Sequence, residues 1–253
     1  MNLQQKFLMD LVTKNVRIDK RGFEEYRKII IEKDAVEKAE GSARVKIGET
    51  EVLAGVKLEV GEPFPDKPKE GVLITSAEFS PIASPDFEKG PPNAHAIELA
   101  RVVDRGIRES KTIELEKLLI EEGKVWKVYV DIQIINHAGN LIDASALASI
   151  MALLNAKIPE YDGQKINYEK KGKKLPVKYK PVAVTLVKIG SNILVDANLE
   201  EEEIATARLT VTTKDNGNIC ALQKGGSAPF TFEELESAVE LAKKKGDELR
   251  KLL

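Results

Sequence analysis

Residues 41–60 read GSARVKIGETEVLAGVKLEV. Ala43, Val45 and Ile47 alternate with polar residues up to the turn Gly48-Glu49-Thr50, and Val52, Ala54, Val56, Leu58 and Val60 carry the same period beyond it. Side chains of a strand point to its two faces in turn, so two such runs joined by a glycine turn predict a β-hairpin with one buried face. The tetrapeptide VKIG ends the first run at 45–48 and recurs at 187–190, inside VAVTLVKIGSNILVDAN, which again reads strand, turn, strand. Four letters alone prove little. Their matching place in two hairpin-then-helix layouts points to an internal duplication.

The elements around these hairpins follow the same logic. Leu3, Phe7, Leu8, Leu11 and Val12 recur at helical spacing, and 92–110 and 140–159 read as helices, the second stopped by Pro159. Residues 71–81, 124–139 and 219–226 read as strands, and 61–71, GEPFPDKPKEG, as a loop. A closing helix starts at a capping box, with Thr231 as N-cap and Glu234 three residues on. The expected fold class is α+β, two related halves of mixed sheet with packed helices. The expected divisions are 1–28, a helix and turn; 29–159, the first half; 160–180, a lysine-rich solvated connection; and 181–253, the second half.

Composition narrows the class. With 253 residues, 42% apolar and 32% charged, the chain can bury a sizeable core. No apolar run reaches the roughly 20 residues of a membrane span, and the opening lacks the pattern of a signal peptide, so a cytoplasmic protein is expected. One cysteine, Cys220, excludes an internal disulfide, and two histidines, His95 and His137, leave little for a zinc site. A net charge of −2 provides no long-range field, so nucleic-acid binding would need local patches.

Three stretches carry candidate chemistry. In IELARVVDRGIRES, Arg101, Arg105 and Arg108 fall within about 60° of one another on a helical wheel, opposite Leu99, Val102, Val103, Gly106 and Ile107. Such a row suits the phosphates of a single strand, but Glu98 and Asp104 flank it, and Asp104 to Arg108 is a favourable ion-pair spacing. Spacing leaves both readings open. The turn Gly139-Asn140 before a helix has the shape of an anion site, yet residues 140–143 offer no cation and add Asp143, read here as a helix cap. Glu200 to Glu203 precede an alternating stretch. Adjacent carboxylates on a turn diverge and make a poor metal cage, so a solvated acidic turn is expected.

Taken in order, GSARVKIGETEVLAGV, ELARVVDRGIRES, NHAGNLIDASALASIMALLNAKIP and ILVDANLEEEEIATARLTV resemble the RNase PH family of phosphorolytic exoribonucleases, over nearly the whole chain after residue 20. Within it the chain resembles the non-catalytic RNase-PH-like subunit of the archaeal exosome core, chiefly through SPIASPDFEKGPPNAHAIELARVVDRGIRES. The resemblance implies two βαβα-type halves. It implies a heterodimer with a catalytic RNase-PH-like subunit, three of which close a six-membered ring capped by RNA-binding subunits, with single-stranded RNA as ligand. Active members hold phosphate with a glycine, a hydroxyl residue and an arginine at the turn before the small-residue helix. Here these positions read Gly139, Asn140 and Leu141. The catalytic aspartate of active members falls at Ala207–Arg208, where no carboxylate stands. The resemblance therefore implies no catalytic residue, no metal and no cofactor, and assigns RNA binding to Arg101, Arg105 and Arg108. The alternative is a divergent exoribonuclease using Asp196, Asp143 or the glutamates. A free-standing RNA-binding module is disfavoured by a short arginine row and 5% aromatic content.

Overall fold

The computed structural model describes residues 3–253, the side chain of Lys171 excepted. α1 (Leu3–Thr13) leads through a turn-rich segment to β1 (Ile29–Lys33). The quoted stretch forms β2 (Gly41–Ile47) and β3 (Thr50–Gly61), antiparallel, with Val45 opposite Val52. Ala43, Val45, Ile47, Val52, Ala54, Val56 and Leu58 are all fully buried, so the alternation read from sequence is the core face. β4 (Val72–Phe79), α2 (Ala94–Glu109), the short β5 (Leu119–Glu121), β6 (Lys124–Asn136) and α3 (Leu141–Asn155) follow. The sheet runs β1-β2-β3-β6-β4 and is antiparallel except for the pair β4–β6, with β5 also bonded to β6.

β7 (Lys157–Tyr161) and β8 (Ile166–Lys174) pair with each other. Then come β9 (Val182–Ile189), β10 (Asn192–Val195), α4 (Leu199–Ile204), β11 (Ala207–Thr213), β12 (Ile219–Gly226) and α5 (Phe232–Arg250). Their sheet is antiparallel in the order β10-β9-β11-β12. Hairpin, helix, strands and helix thus recur in both halves. Each leading hairpin turns on two residues, Gly48-Glu49 and Gly190-Ser191, and both glycines are left-handed, with φ of +57° and +61°. The repeated VKIG brings a strand to a glycine at the first turn position, where a side chain would be strained.

α3 is apolar on nearly every side because it packs on β2 and β3 in one direction and on β9 in the other. Its alanines and serines let the sheets come close. At Gly41 the approach is so tight that a Cβ would collide with the Ala152 carbonyl. One continuous cluster of buried side chains joins both sheets with α2, α3 and α5. A smaller one joins α1 and α4 to β9 and β10 through Leu8, Val12, Val187, Leu194 and Ile204. No helix among the described residues is long and apolar enough to cross a membrane.

Three expectations need correction. α3 ends at Asn155, with Ala156 extended, and Pro159 lies in β7, where a two-stranded edge needs no N–H from it. The lysine-rich segment is largely a β-hairpin rather than a loose connection. The glutamate run is a helix, α4, closed by a capping box between Asn198 and Glu201.

Glu201 also fixes the amino-terminal segment. Arg17, wholly buried, binds both its carboxylate oxygens at 2.8 and 2.6 Å, and donates to the carbonyls of Val195 and Asp196. Buried charges survive only when paired and hydrogen-bonded. We expect Arg17→Ala or Glu201→Ala to cost about 3–5 kcal/mol in urea denaturation, because either leaves a lone buried charge. The double replacement Arg17→Met/Glu201→Leu should cost clearly less.

Candidate functional site

The turn ahead of α3 is built from four segments of chain. Gly139 has φ of +90°, and a Cβ there would lie 2.5 Å from the backbone of Asn198, so only glycine fits. Thr50 donates its hydroxyl to the Gly139 carbonyl at 2.6 Å, and Arg27 donates to the carbonyls of Ala138 and Gly139 at 2.7 and 3.2 Å. Asn140 is left-handed, with φ of +56°. Its side chain does not cap α3. The Nδ2 group donates instead to Asp143 at 3.0 Å and to Asp196 at 2.8 Å.

The backbone N–H of Asn140 points to where an anion would sit at the start of α3. A carboxylate of the chain itself meets it: Glu202 Oε1 accepts that N–H at 2.8 Å. Burial pushes the Glu202 carboxyl up to about 7, outweighing the Asn140 N–H and the charges of Arg208 and Arg27. Asp143, expected as a cap, is fully buried and accepts from the Tyr26 hydroxyl at 2.7 Å, the Thr185 N–H at 3.1 Å and Asn140. Burial raises it to about 6 against those hydrogen bonds. Asp196 is buried too, but there the hydrogen bonds and charge of Arg27 overcome burial and hold the carboxyl below its usual range. Arg27 grips it with Nη2 at 2.7 Å and Nε at 2.9 Å, and Arg21 adds a third contact at 3.0 Å. Both aspartates are therefore spent on structure.

The four glutamates diverge, and three of them turn to partners in the chain. Glu200 accepts from Gln4, Glu201 from Arg17 and Glu202 from Asn140, while Glu203 alone is exposed. Among the described residues no three His, Cys, Asp or Glu side chains come together in a way that could hold a metal ion. A cleft of about 620 Å³ opens beside the turn, between α2, α3, β9 and β11. Its walls include Phe79, Phe87, His137, Leu141, Ala207 and Arg208. His137 stacks on Phe87 with ring centroids 5.4 Å apart, and burial lowers its pKa. Arg208 crosses from β11 to Glu98 on α2 at 2.5 Å, so this cation on the cleft wall is already paired.

The three arginines of α2 do project together from its exposed side, opposite buried Leu99, Val102, Val103, Gly106 and Ile107. Their states differ. Arg108 is paired with Asp104 at 2.9 Å and donates to the Leu73 carbonyl at 3.0 Å. Arg101 and Arg105 make no hydrogen bond or ion pair among the described residues, and Glu98 is held by Arg208. They line a groove of about 450 Å³ with Ala94, Ile97, Glu98, Val102 and Gln223, next to the larger cleft. Two guanidiniums unpaired among the described residues, in an open groove, have the chemistry that suits an anion. Sequence reasoning missed Tyr26, Arg27 and Glu202 as partners of the turn, and nothing local in their neighbourhoods signals it.

Glu202 gives the site a pH signature. A carboxyl raised from its ordinary value to about 7 in the folded chain penalises folding as pH climbs from near 4.5 to beyond 7. Glu202→Gln removes that charge. We expect the variant to exceed the parent by on the order of 2–3 kcal/mol at pH 8 and to match it at pH 4, measured by chemical denaturation.

Comparison with known proteins extends these observations. The profile of the 3′ exoribonuclease family matches with its domain 1 at residues 25–159 and its domain 2 at residues 180–245. The exosome complex component Rrp42 of Thermococcus gammatolerans is 52% identical over 252 residues, covering 97% of this chain and 92% of that protein. Among solved structures, a chain of the Archaeoglobus fulgidus exosome with RNA bound to the active site superposes with a TM-score of 0.93 at 45% identity, over 98% of this chain and 97% of that one. A chain of an archaeal exosome core gives a TM-score of 0.87 at 42% identity, over 98% and 95%.

Proposed function

The chain belongs to the RNase PH family of 3′ exoribonucleases, and from that premise we propose that it is the non-catalytic, RNA-binding subunit of an archaeal exosome core. The observation that carries this reading is the state of the turn before α3. Its outward N–H is held by Glu202, Leu141 stands where active members are expected to carry an arginine, and Asp143 and Asp196 are locked in buried hydrogen bonds. In this reading the Glu202 carboxyl already occupies the N–H that inorganic phosphate would need. With Ala207 and Arg208 at the start of β11, no carboxylate stands at the expected catalytic position either.

Chemistry then falls to a partner. In this reading the chain pairs with a catalytic RNase-PH-like subunit, three such heterodimers close a ring in the cytoplasm, and RNA-binding cap subunits sit on one face. Residues 29–159 and 181–253 are its two RNase-PH-like halves. The groove holding Arg101 and Arg105 grips the phosphates of single-stranded RNA as its 3′ end enters the partner's site. A chain active on its own would need Asp143 or Asp196 to leave its buried partners, and the geometry gives no reason for that.

Arg101→Ala with Arg105→Ala tests the assignment. The assembled complex should form normally and bind single-stranded RNA about tenfold more weakly, with the salt slope reduced by roughly 1.4 for two lost phosphate contacts. Arg108→Ala should have a smaller effect, since that side chain is already paired. Unchanged affinity in the double variant would remove the groove from the RNA path.

A further inference from the structure

The segment following α3 is built unlike the rest of the surface. From Lys157 to Lys180 it carries eight lysines against three carboxylates, in a chain whose net charge is −2. β7 and β8 pair only with each other, through a ladder broken by two register shifts, and join neither main sheet. From Asn167 to Lys174 every described side chain of β8 is exposed. Strands ordinarily bury one face, and β7 and the start of β8 do so through Ile158, Pro159, Tyr161 and Ile166. The rest of β8 is wet on both, and such a two-stranded ribbon is marginal without support. Support comes from a few contacts. The Leu175 N–H reaches the Ala156 carbonyl at 2.9 Å, Tyr161 packs edge-on against Trp126, and Lys57 lies 4.6 Å above the Tyr168 ring.

Most of the described β8 lysines lack a close partner. Lys170 reaches Glu160 at 3.5 Å between two exposed side chains, and Lys165, Lys173 and Lys174 form no ion pair among the described residues. Neighbouring like charges repel, so this concentration costs the ribbon stability and projects a local positive field. We propose that the β7–β8 ribbon is a second contact for the phosphate backbone of single-stranded RNA, separate from the arginine groove. The inference rests on the RNA-binding reading above. Its place in the fold sets the spacing: the cleft lies at the amino-terminal end of α3 and the ribbon starts just beyond the other end. The 15 residues of α3 separate them by about 22 Å. In this proposal an RNA too long for the groove reaches the ribbon, with Lys170, Lys173 and Lys174 as phosphate contacts and Tyr168 as a half-exposed ring on which a base can stack. A protein partner fits less well, because the cores of protein interfaces are depleted in lysine and richer in apolar surface than this ribbon.

Lysines on a strand edge also guard against unwanted pairing, and glutamates guard equally well. Charge reversal therefore separates that role from RNA binding. The test uses the full chain reconstituted with a catalytic RNase-PH-like subunit, carrying K170E/K173E/K174E or the neutral K170Q/K173Q/K174Q. Binding is read by fluorescence anisotropy against salt, with an oligoadenylate short enough to fill only the arginine groove and one several times longer. We expect both variants to assemble and to bind the short RNA as the parent does. Reversal should weaken the long RNA at least about tenfold and lower its salt slope by roughly 2, for three lost contacts. Long-RNA affinity and slope that stay unchanged, while Arg101→Ala/Arg105→Ala still weakens both RNAs, would overturn the ribbon contact alone. No effect from either set would overturn the RNA-binding reading with it. Failed assembly with RNA binding intact would assign the ribbon to an acidic protein partner and overturn the proposal.

Discussion

Asp196 is a carboxylate with no solvent exposure, on a residue whose φ is +50°, and it stays ionised only because cations come to it. Arg27 and Arg21 arrive from the segment before β1, and the Asn140 amide from the start of α3. Arg27 then reaches on to the carbonyls of Ala138 and Gly139. Three stretches of chain far apart in sequence are thereby held at one point. A buried ion pair of this kind adds less to net stability than its geometry suggests, since desolvation offsets most of the attraction. What it provides is registry: it sets where β10 ends, how α3 begins and which way the Asn140 N–H faces.

That registry explains the character of the neighbouring site. A helix start that presents a free N–H attracts anions, and here α4 supplies one internally, since the same short helix that turns Glu201 to Arg17 turns Glu202 to Asn140. The arginine groove has a parallel contact beside it. Arg208, where active members are expected to carry a catalytic acid, binds Glu98, and Arg101 and Arg105 have no hydrogen bond or ion pair among the described residues. In the proposed reading, loss of phosphate chemistry at one end of the cleft and gain of an RNA grip at the other follow from a few side-chain contacts between the halves.

What could be read in advance was the part of the structure governed by local rules. The 41–60 hairpin, the α2 face and the Thr231–Glu234 capping box each depend on residues a few positions apart, and all three stand as read. Even the α4 helix had a local signal, the Asn198–Glu201 capping box, hidden inside a run of glutamates that looked like a solvated turn. Pro159 does not mark the end of α3, because the helix stops at Asn155 and the proline serves as an edge-strand residue in β7. The contacts that define the site were not legible at all. Arg27 and Asp196 are 169 positions apart, Arg17 and Glu201 are 184, and Glu98 and Arg208 are 110, so no periodicity links them. Which of four adjacent glutamates is buried depends on that long-range packing.

The most direct measurement is phosphate-dependent shortening of a 5′-labelled single-stranded RNA, first with the purified chain alone and then with a catalytic RNase-PH-like subunit added. A turn closed by Glu202, with its aspartates buried, predicts no shortening at any phosphate concentration for the chain alone and progressive 3′ trimming once the partner is present. Shortening by the chain alone, rising with phosphate and lost in Asp143→Asn, would contradict the account and make this subunit an enzyme in its own right.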